Sequence, residues 1–306
     1  MRAVAVIAFL GLVAVASAEF ILQQEMIDQI NNANVGWTAG VNPRFAGKTR
    51  EDIKGLLGTK LLPKGTKLRE FPVVDTIVDA IPTSFDARTQ WPASIHPIRD
   101  QQQCGSCWAF GATEALSDRL AIASNNSINV VLSPQDLVSC DSTDYGCDGG
   151  YPINAWHYMQ SLGVVTDTCY PYTSGNGDSG TCQITGKKTP ACATATFYKA
   201  KTAYQVANNM AAIQSEILAN GPVEAAFSVY DDFFSYTSGV YSHQSGALDG
   251  GHAVKIVGWG VDGTTPYWIV ANSWGTSWGQ AGFFWIKRGN DECGIEDGIV
   301  AGLAAV

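Results

Sequence analysis

The sequence predicts an α+β protein of two lobes, helices first and strands after. Apolar residues recur at helical spacing from about residue 107, and short strand-like runs follow from about residue 223. The 306 residues are 46% apolar and 10% aromatic with nine Trp, enough to bury substantial cores and too apolar for disorder, collagen or a coiled coil. A formal charge of −9 argues against nucleic acid and anionic membrane surfaces as partners, and four His are too few for a histidine-rich metal cluster.

In chain order, residues 1–18 read as a secretory signal. Arg2 supplies the charged start, residues 3–15 are apolar, and Ala16-Ser17-Ala18 is a small-residue cleavage pattern. A membrane anchor is the alternative, but the apolar run is short for a span of about 20 residues. An oxidising compartment follows, where cysteines pair. Residues 19–80 carry eight acidic and eight basic residues and no Cys, whereas residues 81–306 carry twenty acidic, ten basic and all eight Cys. The first segment is a leader with little core of its own, expected to lie on the body rather than fold alone.

Within the body, Trp108, Ala112, Leu116, Leu120 and Ala123 form a stripe that predicts a helix over 107–124. A second is expected over 152–162, with Pro152 in its first turn and Gly163 past its end. A third is expected over 205–219, with Val206, Met210, Ile213 and Ile217 on one face. Strand-like runs cover 223–230, 253–259, 267–271 and 282–287, with a hairpin signal at Asp262-Gly263. Asn125-Asn126-Ser127 is a glycosylation sequon, usable only if exposed.

The chemistry begins at residues 101–110, Gln-Gln-Gln-Cys-Gly-Ser-Cys-Trp-Ala-Phe. Cys104 and Cys107 could form a redox dithiol. Alternatively Cys104 is tied elsewhere and Cys107 stands free at a helix N-terminus, where the dipole is expected to lower its pKa below about 8.5. Four further stretches stand out: Gly146-Cys147-Asp148-Gly149-Gly150, Gly221-Pro222-Val223, Gly250-Gly251-His252-Ala253 and Ala271-Asn272-Ser273-Trp274-Gly275. With Cys104-Gly105-Ser106-Cys107-Trp108, and with Ser84-Phe85-Asp86-Ala87-Arg88 as a mature N-terminus, they resemble the papain family of cysteine proteases, and within it the cathepsin B branch.

That resemblance implies a papain-like fold, a helical left lobe (roughly 81–195) and a β-barrel-like right lobe (roughly 196–306) with the active site in the cleft between. It implies a zymogen whose propeptide is residues 19–80. Cys107 becomes the nucleophile, His252 its proton acceptor and donor, and Asn272 the group that orients the imidazole without adding a negative charge. Trp274 covers that contact from water. Gln101 donates to the oxyanion together with the Cys107 N–H. Gly149 and Gly150 expose backbone to an extended peptide. The other three histidines, His96, His157 and His243, are read as satisfied core or surface residues.

By the same resemblance Cys104 pairs with Cys147, Cys140 with Cys182, and Cys169 with Cys192, leaving Cys107 and a single buried thiol at Cys293. Spacing alone leaves the permutations among Cys140, Cys169, Cys182 and Cys192 open. In the cathepsin B branch the fifth residue after the equivalent of Cys293 is acidic and lines the pocket for the residue two before the cut. Here that residue is Gly298, which predicts a preference for apolar or aromatic side chains, although Asp297 is adjacent. Residues 170–191 contain no His, so the paired-histidine loop that closes the primed side in dipeptide-trimming members is expected to be missing. Polypeptide substrates, the chain's own propeptide and cystatin-type inhibitors are the implied partners of a monomer needing no cofactor or metal. The implied location is a lysosome-like vacuole or the exterior. A thiol–disulfide oxidoreductase using Cys104 and Cys107 would leave His252 and Asn272 unexplained. A binding protein on the same scaffold would have no need of all four catalytic positions.

Overall fold

The computed structural model describes residues 20–66 and 71–306, so the signal expected at residues 1–18 lies outside the described residues. The leader forms α1 (Gln24–Ala33), β1 (Trp37–Ala39), α2 (Arg50–Lys54) and β2 (Val73–Val74). In α1, Met26, Ile27 and Ile30 are buried on one face. Thr49 opens α2 through a reciprocal capping box with Asp52. After β3 (Phe85–Asp86) and α3 (Ala87–Gln90) comes the central helix α4 (Cys107–Ala123).

Almost every side chain of α4 from Cys107 to Ala121 is buried, so it is a core helix rather than a surface one. Its buried charges are paired. Lys255 reaches Asp118 at 2.6 Å, and Arg119 meets Glu216 at 2.9 Å while donating to the carbonyls of Pro222 and Gly221. These contacts tie α4 to the second half of the chain.

Two shorter helices complete the helical lobe, α5 (Pro134–Cys140), capped by Ser133, and α6 (Pro152–Ser161). Residue Gly163, just past α6, has φ +82°, the left-handed conformation that favours glycine there. The expected helix over 205–219 starts later. Tyr204–Val206 is strand β4, and α7 runs Met210–Asn220 after Asn209 caps the N–H of Ala211. Val206 is buried as a strand residue, although its spacing to Met210 also fits a helix.

The remaining strands are β5 (Val223–Tyr230), β6 (Tyr236–Tyr241), β7 (Leu248–Asp262), β8 (Thr265–Ala271), β9 (Phe283–Lys287) and β10 (Gly298–Ala301). Strands β7 and β8 form the hairpin signalled by Asp262-Gly263, pairing Asp262 with Thr265. The sheet runs β1-β6-β9-β8-β7-β5-β10-β4-β2, with β3 on β7. Both outer strands, β1 and β2, belong to the leader, which therefore covers the sheet's two edges.

The larger core lies under this sheet and includes the leader's Ile27, Trp37, Phe45 and Ile53. A second core gathers Trp108, Leu116, Leu120, Leu137 and Trp156 between α4, α5 and α6. The lobes exchange segments: Phe85 pairs with Trp259 on β7, and Val300 packs into the helical lobe's core. Three disulfides, Cys104–Cys147, Cys140–Cys182 and Cys169–Cys192, staple the loops of the helical lobe. Among the described residues Cys107 and Cys293 are free, and Cys293 is half-buried rather than fully buried. Asn125, in the turn after α4, is exposed.

Candidate active site

Cys107 is the first residue of α4, held there by the Cys104–Cys147 bridge and by the bond from the Gly105 N–H to the carbonyl of Cys147. His252 lies in β7, in register with Phe227 of β5, and Asn272 follows the end of β8. The imidazole Nε2 lies 2.7 Å from Asn272 Oδ1, which leaves Nδ1 without a hydrogen-bond partner among the described residues. The Asn272 oxygen is itself fixed by the Ser273 N–H at 2.8 Å. Trp274, fully buried, tilts against the imidazole with ring centres 4.7 Å apart and shields the His252–Asn272 bond. The N–H of Ala253, next to His252, reaches the Cys107 sulfur, so the thiol and the imidazole strand meet.

Five consecutive leader residues run along this arrangement. The Leu56 carbonyl accepts from Gln101 Nε2 at 3.0 Å. Gly58 lies so close to Gly105 that a Cβ on it would sit 1.8 Å from the Gly105 oxygen, so the closest approach admits glycine alone. Thr59 Oγ1 lies 3.1 Å from Cys107 Sγ, and its N–H donates to Gly251. The Gly150 N–H donates to Gly58, while the Lys60 N–H donates to Gly150. Gly149 touches the same segment: a Cβ there would meet the Gly58 oxygen at 2.0 Å. The structure thus gathers Cys107, His252, Asn272, Gln101, Gly149, Gly150 and Trp274 around one cleft, filled by the leader.

Gly298 lies in the wall of a neighbouring cavity of about 420 Å³, with Ile153, Ala226 and Val300 and the carboxylates of Asp291 and Asp297. Leader residue Lys64 reaches Asp291 at 2.5 Å, and the Gly65 N–H donates to Asp297. Cys293 lines this cavity too, where burial pushes its thiol up. The other histidines are engaged elsewhere: His96 with Asp118, His157 against Phe71, and His243 stacked on Tyr230.

The electrostatics overturn one expectation. Burial pushes the Cys107 thiol up, against the hydrogen bonds from Thr59 and from the N–H groups of Ala253, Gly58 and Trp108. Burial pushes His252 down to about 4, opposed by Asn272 and reinforced by the positive charge of Arg44. A helix N-terminus does favour a thiolate, but burial outweighs it here. Burial thus favours the neutral form of both groups.

Several participants carry no signal of their own in the sequence. Ser273 donates to Gln101 Oε1 at 2.8 Å and so turns the amide nitrogen outward, and Tyr172 holds the Gln101 carbonyl and Ser106. Ser273 at least lies inside a stretch already singled out. Thr59, Leu56 and Arg44 lie in the leader, where neither period nor motif marks them.

Comparison with known proteins agrees with this arrangement. Residues 81–303 match the model of the papain family cysteine proteases, and residues 22–63 match the propeptide of peptidase family C1. The chain is 45% identical to cathepsin B-like cysteine proteinase 4 of Caenorhabditis elegans, covering 93% of both chains. It is 49% identical to a gut-specific cysteine proteinase of the same organism over 76% of each. Among solved structures, proCathepsin B S9 from Trypanosoma congolense is similar with a TM-score of 0.86 and 34% identity, covering 94% of this chain and 100% of that one. The chain belongs to the papain family of cysteine proteases, has cathepsin B-like relatives, and carries a propeptide as a zymogen does.

Proposed function

We propose that this chain is the precursor of a secretory-pathway endopeptidase in which Cys107, His252, Asn272 and Gln101 do the chemistry. The observation that carries the reading is the passage of Leu56–Lys60 over Gln101, Cys107, Gly150 and Gly251, as a peptide occupies a cleft. With the leader gone, water returns to the pair and the proton moves from Cys107 Sγ to His252 Nδ1. The thiolate attacks the peptide carbonyl carbon. The oxyanion takes bonds from Gln101 Nε2 and the Cys107 N–H, and His252 returns the proton to the leaving amine. Water, deprotonated by His252, then hydrolyses the acyl-enzyme thioester and restores the thiol.

The propeptide is residues 19–80, released near Ile81-Pro82, and the mature enzyme is 81–306, a monomer open to cystatin-type inhibitors. The product is delivered to a lysosome-like vacuole or secreted. Gly298, Ile153, Ala226 and Val300 support an apolar or aromatic residue two before the cut, and Phe-Arg substrates should outpace Arg-Arg ones. The primed side is open. Residues 170–191 carry no histidine, and their Ser174 and Ser179 are tied down to Gln135 and Ser139 of α5. Engagement of Cys104 with Cys147 argues against a dithiol oxidoreductase.

Two experiments test the proposal. A thiol-directed peptidyl epoxide should give one adduct, at Cys107, after processing; labelling at Cys293 alone would sink the assignment. An internally quenched decapeptide should be cut internally whether its C-terminus is free or amidated. Sequential loss of dipeptides from the free form alone would refute the open primed side.

A further inference from the structure

Arg50, in the leader helix α2, has its guanidinium clamped between two carboxylates of the body, Asp231 and Asp249, one nitrogen on each. The two acids come from separate elements. Asp231 follows the end of β5 and Asp249 is the second residue of β7, where the β5–β7 ladder shifts register between Val229 and Tyr230. Asp231 is pinned: its second oxygen accepts the Ala247 N–H at 2.6 Å, and its own N–H donates to the Ala247 carbonyl. Asp249 makes no such bond. Its side chain is only 2% exposed, and its second oxygen has no hydrogen-bond partner among the described residues. Two nearly buried, ionised carboxylates held side by side repel each other unless a cation or a shared proton joins them, and Arg50 is a cation paired with both.

The leader is the part that leaves on activation, and with it goes that cation. Asp249 is three residues before His252 on the same strand, about 10 Å along the chain, next to Gly250 and Gly251. Those glycines are covered by Leu57 and Thr59 while the leader is in place. His252 protonates the leaving amine, so its strand borders the part of the substrate that follows the cut.

We infer that Asp231 and Asp249 form a guanidinium-binding subsite of the mature enzyme, which selects an arginine shortly after the scissile bond and which Arg50 fills in the zymogen. A planar fork suits the site better than an ammonium, because two carboxylates on different elements are bridged by two separate nitrogens. The inference rests on the protease reading above.

The test uses the processed enzyme and internally quenched peptides with arginine at the first, second or third position after the cut. Each is compared with the same peptide carrying neutral citrulline. At one of the three positions kcat/KM should favour arginine roughly tenfold, and D249N should bring that ratio close to one. A D249K enzyme, with active molecules counted by epoxide titration, should prefer glutamate at the same position. Equal cleavage of arginine and citrulline peptides at all positions would overturn the subsite and leave the protease reading standing. So would an arginine preference that survives D249N. If neither peptide is cut, the protease reading itself falls and takes the subsite with it.

Discussion

On the strand-rich lobe the leader buries Ile21, Met26, Ile27, Ile30, Trp37, Phe45, Ile53 and Leu56 in a shared core and adds β1 beside β6. On the helical lobe its described residues contribute to the core only Phe71, half-buried beside His157, and otherwise make polar contacts: backbone bonds of Gly58 and Lys60 with Gly150, Leu56 with Gln101, Thr59 with Cys107, and Arg44 with Asp100 and the Gln102 carbonyl. The leader is thus anchored by apolar side chains on the lobe that supplies His252 and blocks by backbone and polar contacts where it crosses to the lobe that supplies Cys107. Holding and blocking are separate physical jobs. Apolar burial gives affinity without regard to what lies in the cleft, and the short crossing gives occlusion with little affinity of its own.

The largest effect separates the two jobs at the thiol. Cys107→Ala should lower peptide hydrolysis by on the order of 10⁴–10⁶-fold, while hydrogen exchange across α1 and β1 stays unchanged because the anchors are elsewhere. Loss of protection at α1 in that variant would contradict the division. Next comes the anchor itself. Phe45 packs edge-on against Phe234 and Trp274, and Phe45→Ala should weaken docking by about 3–5 kcal/mol. Measured in the Cys107→Ala background, exchange at residues 20–60 should rise while that of β7 and β8 holds.

Gln101→Ala tests the catalytic end of the crossing. Its amide gives its hydrogen bonds to Leu56 and Cys104, and its loss should lower kcat by about 10²-fold with KM little changed. A change confined to KM would make Gln101 a binding residue instead.

The smallest effect concerns Arg50. Burial, then the charge of Asp231, push Asp249 up to about 7, and Arg50 pulls the other way; these are the charged groups that face it. Since Arg50 lowers that pKa relative to the unlatched pair, the latch is at full strength above the higher, unlatched pKa and is lost as pH falls through about 7. Arg50→Gln should therefore speed processing roughly fivefold at pH 8, the Arg50 end of the pair being 45% exposed, and make no difference at pH 5. Equal acceleration at both would point to a steric rather than an ionic role.

The parts legible in the sequence are those fixed by local period or by chemistry. Helix α4 announced itself through its stripe, β5 through its apolar run, and Cys107, His252 and Asn272 through residue types that thiol catalysis needs. Residues 205–206 were misleading because four-residue spacing from Val206 fits a helix as well as the strand it joins. The latch was invisible for a different reason. Arg50 meets Asp231 and Asp249 from some 180 and 200 positions away, and no periodicity links them. The raised thiol pKa was equally hidden, since desolvation depends on how deeply the tertiary fold buries Cys107 and not on its neighbours in sequence.

The central claim is that the leader silences the enzyme by keeping Cys107 and His252 both neutral. The direct measurement is the pH dependence of Cys107 alkylation by iodoacetamide, in a Cys293→Ser background, scored by mass on the unprocessed chain and on the processed enzyme. The processed enzyme should react rapidly from about pH 4 upward, as a thiolate paired with imidazolium does. The unprocessed chain should react slowly until the pH exceeds the ordinary thiol range. If the two profiles coincide at low pH, the leader excludes substrate without altering the charge of the pair, and the account is wrong.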